Sequence, residues 1–216
     1  MTATIDRDAY VLNYEQIAAD HLDAVAETGQ NPWQPAACVI ANTAVTAGVI
    51  RNLVPLGAKI LDVGCGPGDL LNTMPDYNRY GVDISSAYLE LAARKGIDVE
   101  LARAEKLPHP DETFDAVVCC DVLEHVLDLH ATVSESLRVL KPRGALIVRV
   151  PREDDLSPYL ESEYEYVHLR RFDEPTLQLL FGRIFQGVTV AMMFEFTVAA
   201  EGTLAREIVC AVRKHG

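Results

Sequence analysis

The stretch Ile60-Leu61-Asp62-Val63-Gly64-Cys65-Gly66-Pro67-Gly68-Asp69-Leu70 decides the fold of this chain. Its apolar residues around one acid predict a strand, and the alternate glycines then break that strand before a short apolar helix begins. Glycines in such a turn let a ligand lie against backbone amides. The third glycine comes one residue earlier than in the G-x-G-x-x-G pattern that seats a dinucleotide pyrophosphate. The stretch therefore predicts a nucleotide-type site for a ligand without a pyrophosphate.

A second acid supports the same interpretation. Asp83 closes the next predicted strand, residues 79–83. A carboxylate at this point of an α/β sheet can accept hydrogen bonds from both hydroxyls of an adenosine ribose. In an open parallel sheet, ligands bind outside the carboxyl ends of the strands, so we expect Asp83 to lie beside the glycine turn.

The run Asp62 to Gly68, together with Asp83, closely resembles class I S-adenosylmethionine-dependent methyltransferases. The resemblance is firm over about residues 58–150 and loose at both ends. It implies a Rossmann-like α/β fold with a seven-stranded, mostly parallel sheet flanked by helices. It also implies S-adenosylmethionine as the cofactor, with S-adenosylhomocysteine as its product. The cofactor contacts that it assigns in these two stretches are Asp62, Gly64, Cys65, Gly66 and Asp83.

The segment Ala102 to Pro108 resembles the third signature of the family. An aspartate commonly grips the adenine amino group there, but this chain has Arg103, whose guanidinium either stacks on the adenine or faces solvent. The resemblance still implies cofactor contacts at Ala104, through its backbone, and at Glu105. Ile84, after the second strand, is expected to pack on the adenine ring.

The segment Cys120 to Val126 resembles the fourth signature, which follows strand four and passes near the sulfonium. The backbone of Cys120 or the Asp121 carboxylate is expected to approach the methionine amino group. His125 is the first candidate for a general base, and Glu124 is interpreted as a structural or solvated acid. His168, before a later helix, is a second candidate that orients or deprotonates the acceptor. For both histidines, a packing or surface role is an open alternative.

Alternating strands and helices predict the remaining organisation. Helices over about 7–27 and 36–54 form an N-terminal helical cap, residues 1–56, over the ligand cleft, with Tyr14 as a candidate cofactor contact. Residues 57–216 form the core domain, with a substrate-facing insertion at about 151–172.

The sequence also predicts the last three strands of the sheet. Strand five is predicted at 145–150 after a turn in which Arg143 replaces a family glycine, which implies another turn geometry or mild strain. The last two strands are predicted at about 187–197 and 206–213.

Composition limits the partners. The 216 residues carry 19 basic and 32 acidic side chains, a net charge of −13, which opposes nucleic-acid binding and favours a small-molecule acceptor. No run approaches the roughly 18 apolar residues of a membrane span, and no signal-peptide pattern begins the chain, so we expect a cytoplasmic protein. The five cysteines form no C-x-x-C pair and indicate neither a disulfide framework nor a zinc site. The oligomeric state stays open.

The sequence predicts methyl transfer to oxygen or nitrogen of a small metabolite, such as a secondary metabolite, a sugar or a quinol. Because a sulfonium carries its own leaving group, we expect no metal to be required. Two alternatives remain: an RNA or protein methyltransferase, and a non-catalytic scaffold that binds S-adenosylmethionine. A dehydrogenase is disfavoured because Asp69 stands where the dinucleotide pattern needs glycine.

Overall fold

The computed structural model describes residues 7–162, 164, 167–200 and 202–216. They form a seven-stranded sheet in the order β3-β2-β1-β4-β5-β7-β6. β7 runs antiparallel to both of its neighbours, and the other neighbouring pairs are parallel. The strands are β1 Lys59–Val63, β2 Asn78–Asp83, β3 Asp98–Leu101, β4 Phe114–Cys120, β5 Leu140–Pro151, β6 Val188–Ala200 and β7 Thr203–Lys214. The predicted α/β fold is confirmed.

Six α-helices accompany the sheet in the described part of the chain. They are α1 Arg7–Thr28, α2 Ala36–Leu53, α3 Asp69–Asn72, α4 Ser86–Arg94, α5 Leu129–Val139 and α6 Glu174–Leu179. Three of them begin at side-chain caps, where Ser85, Asp128 and Asp173 each accept a hydrogen bond from a backbone amide of the first turn. These caps fix where the chain leaves a strand end and turns back along the sheet.

Side chains alternate across the sheet and fill two apolar layers. Leu61, Val117 and Leu146 face one layer, which α5 and α6 help to cover. Ile60, Val118 and Ile147 face the other, which lies beneath α2, α3 and α4. Because both faces are covered, the central strands are apolar in nearly every position, and the carboxyl ends of β1, β2 and β4 remain the open edge.

β5 is longer than predicted and includes the turn before it. It runs from Leu140 to Pro151, with a register shift opposite Phe114 and Ala116. Arg143 has φ 63°, so the prediction of a different turn geometry is wrong. An L-residue in this left-handed conformation costs roughly 1–2 kcal/mol, so the mild strain that the sequence predicts as the alternative is present.

The chain ends in a long hairpin. α6 continues into a π-helical turn, Leu180–Ile184, before β6 begins. β6 pairs with β7 along its whole length, from the pair Val188 and Lys214 to the pair Ala200 and Thr203. Each strand therefore extends three residues further toward the hairpin turn than predicted. The hairpin places β7 beside β5, where Glu207 pairs in register with Pro151 at the open edge of the sheet.

The N-terminal helices take different positions. α1 contacts α4, whereas α2 contacts the strands β5, β6 and β7. Against the expectation from composition, α2 is long and apolar enough for a membrane span, with a mean hydropathy of 1.3 over 18 residues. Its Asn42 is buried and donates a hydrogen bond of 3.1 Å to Glu207, so this face of the helix packs on the sheet. The division into a cap of residues 1–56 and a core of 57–216 stays a prediction.

Candidate active site

One cavity of about 720 Å³ lies at the carboxyl ends of β1, β2 and β4, beneath α1. The structure brings together in its lining all of the site residues proposed from the sequence, which are Tyr14, Asp62, Gly64, Cys65, Gly66, Asp83, Ile84, Ala104, Glu105, Cys120, Asp121, His125 and His168. They come from the turn after β1, the end of β2, the turn after β3, the exit of β4, the roof helix and a distant loop. These segments are far apart in the sequence, and the topology of the sheet brings them together at one edge.

The glycines of the turn after β1 have different reasons for being glycine. A Cβ on Gly64 would lie 2.4 Å from Val122, and one on Gly68 would lie 2.5 Å from Ile97. These two glycines therefore allow close packing within the protein. Gly66 has φ 51°, and a Cβ there would meet nothing within 4 Å. Of the three glycines, only Gly66 therefore has open space where a Cβ atom would lie.

Asp83 ties the first two strand ends together. Its carboxylate accepts hydrogen bonds from the amide of Gly66 at 2.8 Å and from the amide of Ser85 at 2.9 Å. Burial raises the pKa of this carboxyl, although the amide bonds oppose the shift. Each oxygen keeps a second lone pair that a ligand hydroxyl can use.

Asp62 is an unpaired acid in the same wall. The residue is 3% exposed, and one of its two carboxylate oxygens, Oδ1, has no hydrogen-bond partner. Burial raises its pKa to about 7; Arg149 opposes this shift, while Asp83 and Asp121 add to it. A buried carboxylate oxygen without a partner is costly, so this position suits a ligand that brings a donor or a positive charge.

The thiols in the lining are not prepared for nucleophilic chemistry. Burial raises the pKa of both Cys65 and Cys120, so neither is a thiolate at neutral pH. All five cysteines of the chain are free in the structure. Four of them are buried and Cys120 is partly buried, so they pack as small apolar side chains.

A buried ionic network lies behind the exit of β4. Arg149 pairs with Asp121, donates a hydrogen bond of 3.3 Å to Thr46, and lies 3.8 Å from Glu207. Asp121 has φ 55°, and its amide donates to the carbonyl of Arg149. Arg149 lines the cavity and is a residue that the sequence interpretation missed. Its only signal is a single charge within the apolar run 145–150 of β5.

The two candidate histidines lie edge-on to each other in the lining of the cavity, and we call this region the histidine end. Their ring centroids are 4.7 Å apart. Nδ1 of His125 donates to the Val167 carbonyl at 3.3 Å, and Nδ1 of His168 lies 2.7 Å from the Glu153 carboxylate. Burial, with His168 nearby, lowers the pKa of His125 to about 4, so its imidazole is neutral at physiological pH.

Glu124 lies beside this pair and is not the solvated acid that was one of its two interpretations. It is 1% exposed, and neither carboxylate oxygen has a hydrogen-bond partner. Burial, together with the charge of Asp121, raises its pKa well above the usual value. The His125 Nε2 atom is 4.0 Å from Glu124 Oε1.

Helix α1 forms the roof. The guanidinium of Arg103 lies over the Tyr10 ring, 4.8 Å from its centroid, and pairs with Glu105 at 3.4 Å. This contact with α1 adds a third possibility to the two alternatives predicted for Arg103, stacking on adenine or facing solvent, and these two stay predictions. Tyr14 lies edge-on to His125, with ring centroids 5.9 Å apart, and so belongs to the histidine end.

Part of the 151–172 segment closes the side of the cavity. Tyr159 donates to Glu153 and lies 4.4 Å from the His168 ring. Tyr164 donates a hydrogen bond of 2.9 Å to Asp20 of α1. Positions 163, 165 and 166 of the predicted insertion lie outside the described residues. The tyrosines and Glu153 are lining residues that the sequence interpretation did not single out.

Comparison with known proteins identifies this architecture. Residues 61–148 match the family model described as a methyltransferase domain. Over these residues, the chain is similar to S-adenosylmethionine-dependent methyltransferases. The matched residues run from β1 into β5 and contain the carboxyl ends of β1, β2 and β4, whereas the lining residues Arg149 of β5 and Glu207 of β7 lie beyond them.

Two curated relatives are similar in sequence to part of this chain. Demethylmenaquinone methyltransferase of Symbiobacterium thermophilum is 40% identical over 104 residues, which is 42% of this chain and 41% of the relative. The tRNA (carboxymethyluridine(34)-5-O)-methyltransferase of Arabidopsis thaliana is 35% identical over 100 residues, 45% of this chain and 25% of the relative. The chain therefore spans less than half the length of these two proteins.

A solved structure has the same fold along the whole length of the present chain. It is 1,6-didemethyltoxoflavin-N1-methyltransferase of Burkholderia thailandensis, with bound 1,6-didemethyltoxoflavin and S-adenosylhomocysteine. It is 18% identical, with a TM-score of 0.71, and the match covers 100% of this chain and 92% of that one. At this identity the likeness shows the fold alone.

The cavity fits S-adenosylmethionine, the cofactor of the methyltransferases that this chain resembles. The cofactor carries a positive sulfonium and an ammonium group, and the unpartnered, buried oxygen of Asp62 provides an acceptor for a cation. The space before Gly66 admits a ligand against the backbone. Asp83 offers its remaining lone pairs beside that space. The charge, the space and the hydrogen-bonding capacity of the cavity therefore all fit S-adenosylmethionine.

Proposed function

We propose that this chain is a cytoplasmic enzyme that transfers a methyl group from S-adenosylmethionine to oxygen or nitrogen of a small metabolite. Secondary metabolites, sugars and quinols are the acceptor types that we favour. The observation that carries the proposal is a single cavity whose lining combines the carboxylates and glycine turn of the strand ends with two histidines. The strand ends suit the cationic cofactor, and the histidines suit an acceptor that must lose a proton.

The strand ends supply the proposed cofactor contacts. Asp62 and the turn residues Gly64, Cys65 and Gly66 hold the methionine part, together with Cys120 and Asp121. Asp83 binds the ribose hydroxyls. The proposed adenine contacts are Ile84, Ala104 and Glu105, while Tyr14 closes the site from α1. Support comes from the shared lining of these residues and from the unpaired acceptor at Asp62.

The histidine end supplies the proposed catalytic groups. The bound cofactor provides an activated methyl group, so most of the acceleration comes from alignment, which is worth up to about 7–11 kcal/mol in good cases. His125 is neutral because of its burial, and its Nδ1 is engaged by a carbonyl, so Nε2 is available to accept a proton from an acceptor hydroxyl. His168, held by Glu153, orients the acceptor.

Size and charge favour a small acceptor. A cavity of about 720 Å³ falls in the range typical of small-molecule sites, about 300–1,000 Å³. The net charge of −13 opposes a polyanion. Of the two curated relatives compared, one is named for a quinone, which supports a quinol-type acceptor, and the other for 5-O-methylation of a tRNA uridine, which supports oxygen as the target atom.

Calorimetric titration with S-adenosylmethionine, S-adenosylhomocysteine and NAD tests the cofactor. We expect the first two to bind and NAD not to bind; tight binding of NAD alone would overturn the assignment. Transfer of a labelled methyl group to quinols, sugars and bulk tRNA then tests the acceptor. Label in tRNA alone would replace the proposed acceptor class. Cofactor binding without transfer to any acceptor in this panel would favour the scaffold alternative.

The same assay tests the histidines. Once an acceptor is found, the turnover of His125→Ala and His168→Ala can be compared with the unmodified enzyme. We expect a loss of turnover in both variants with cofactor affinity retained. Full rates in both variants would mean that neither histidine acts on the acceptor.

A further inference from the structure

We propose that Glu124, His125 and His168 bind a divalent transition-metal ion at the histidine end of the cavity. One ligand atom from each of the three residues lies within 4.8 Å of the other two. Two imidazoles with one carboxylate are a frequent ligand set for Zn²⁺ and Fe²⁺. Imidazole nitrogen favours such ions over Mg²⁺ and Ca²⁺, which prefer oxygen ligands.

The histidines are oriented as metal ligands usually are. A ligating imidazole commonly donates its other N–H to a carboxylate or a backbone carbonyl, which fixes the ring and its tautomer. In this structure, Nδ1 of His125 donates to the Val167 carbonyl, and Nδ1 of His168 faces the Glu153 carboxylate. Both arrangements leave Nε2 to bind the ion. Tyr159 in turn holds Glu153.

Glu124 provides independent evidence for a cation. Its carboxylate is 1% exposed, and neither oxygen has a hydrogen-bond partner. Burying an unpaired carboxylate is costly, and proteins offset that cost with a partner or a metal ion. The His125 Nε2 atom, 4.0 Å from Glu124 Oε1, is too far away to hydrogen-bond. An ion between them would satisfy the oxygen and both rings.

The backbone holds the distant ligand in place. The amide of Leu169 donates to the Glu124 carbonyl at 2.9 Å, and Arg170 donates to the Leu123 carbonyl at 2.6 Å. These two bonds attach the loop that carries His168 to the exit of β4. The three ligands therefore come from two segments that the protein itself joins.

Ion binding requires only a small closure. Ligands at about 2.0–2.2 Å from Zn²⁺ lie roughly 3–3.5 Å from one another, so ligand atoms that are up to 4.8 Å apart must approach by roughly 1–2 Å. Three protein ligands leave at least one coordination position open, and all three residues line the cavity. With an ion bound, the histidines act on the acceptor through the metal, which lowers the pKa of a bound hydroxyl and directs transfer to oxygen. That last role rests on the proposed function, whereas ion binding does not.

The test uses the full chain after chelation and dialysis. Calorimetric titration with Zn²⁺ and with Mg²⁺ is expected to show one Zn²⁺ site per chain and much weaker binding of Mg²⁺. Co²⁺ in place of Zn²⁺ is expected to give visible absorption bands typical of nitrogen ligands. We expect His168→Ala and Glu124→Gln to weaken Zn²⁺ binding at least about 100-fold, and Glu153→Gln to weaken it roughly 10–100-fold.

Two matched controls lie outside the cluster. His130→Ala removes an exposed histidine of α5, and Glu90→Gln neutralises an exposed acid of α4. Neither is expected to change the affinity for Zn²⁺. Unchanged affinity in both Glu124→Gln and His168→Ala would overturn the site, as would tight Mg²⁺ binding without Zn²⁺ binding.

Two further measurements separate the possible failures. S-adenosylmethionine is titrated into the same samples. Zn²⁺ binding without cofactor binding would contradict only the proposed function. Cofactor binding without Zn²⁺ binding would sink only the metal site. If the ligand variants do not fold, the Zn²⁺ titration of the unmodified protein decides, since a failure to bind Zn²⁺ would overturn the site.

Discussion

The two walls of the cavity are held in different ways. The strand wall consists of the turn 64–68, Asp83 and the exit of β4, and backbone hydrogen bonds maintain it. The amides of Gly64 and Cys65 both donate to the carbonyl of Val82, at 2.8 and 3.0 Å. This wall cannot shift without disturbing the pairing of β1 and β2.

The helical wall consists of α1 and the described part of segment 151–172, and side chains hold it. Glu15 of α1 accepts hydrogen bonds from the Ser85 hydroxyl at 2.9 Å and from the amide of Ser86 at 2.8 Å. His21 bonds to the Tyr88 hydroxyl at 2.7 Å. Half-buried polar contacts of this kind separate at lower cost than a paired strand. The strand wall is therefore the fixed side of the site, and the helical wall is the adjustable side.

The largest effect is expected at Arg149, behind the strand wall. Arg149→Ala would leave Asp121 and Glu207 without their buried partner, and breaking a buried ion pair costs about 3–5 kcal/mol. Urea denaturation measures this loss in the free energy of unfolding. Arg206→Ala, which removes exposed ion pairs on β7, is the control and should cost far less. Equal losses would show that burial of the network does not matter.

Asp83 tests the strand wall as a ligand site. Asp83→Ala should weaken the affinity for S-adenosylmethionine by about 1–3 kcal/mol, because a charged hydrogen-bond acceptor is lost. Calorimetry measures the change, and Asp76→Ala, in an exposed turn, should leave the affinity unaltered. Unchanged cofactor affinity in Asp83→Ala would remove this residue from the site.

Glu15 tests how the helical wall is held. Glu15→Ala removes the carboxylate that accepts from the first turn of α4, and the loss of such a cap costs about 1 kcal/mol. We expect faster proteolysis within α1 and slightly lower stability, with Glu27→Ala, on the exposed end of α1, as the control. If α1 is cleaved at the same rate in both variants, Glu15 does not hold the wall.

The effect of Glu15 should depend on pH. Burial opposes ionisation, but hydrogen bonds from Ser86 and Ser85 outweigh it and lower the pKa of Glu15 below its usual 4.5. A lowered folded-state pKa means that the contribution is present above pH 4.5 and is lost as the pH falls through the folded value. The stability difference between the unmodified protein and Glu15→Ala should therefore shrink in acid. A constant difference would contradict this role.

The smallest effect is expected at Arg103. Arg103→Ala removes a cation–π contact with Tyr10, worth about 0.5–1 kcal/mol of stability. Because this contact joins the protein to its own roof, cofactor affinity should change little. A clear loss of cofactor affinity with unchanged stability would show that Arg103 acts on the ligand instead. Arg94→Ala, on the exposed face of α4, controls for the lost charge.

The sequence by itself determined the strand wall. Glycine spacing, an acid at the end of β2 and apolar strand runs are local patterns, and parallel strands bring their carboxyl ends to one edge. The predicted residues of this wall therefore line one cavity. Element limits were less accurate where pairing extends a strand, as in β5 and in the hairpin of β6 and β7.

Only the tertiary structure decided the helical wall and the buried charges. The contacts of Arg103 with Tyr10, Arg149 with Glu207, and His125 with His168 join segments far apart in the chain. No spacing or periodicity encodes such pairs, because they depend on how helices and loops pack over the finished sheet. A local pattern can specify a backbone turn, whereas the partner of a long side chain is set by whichever surface folding places beside it.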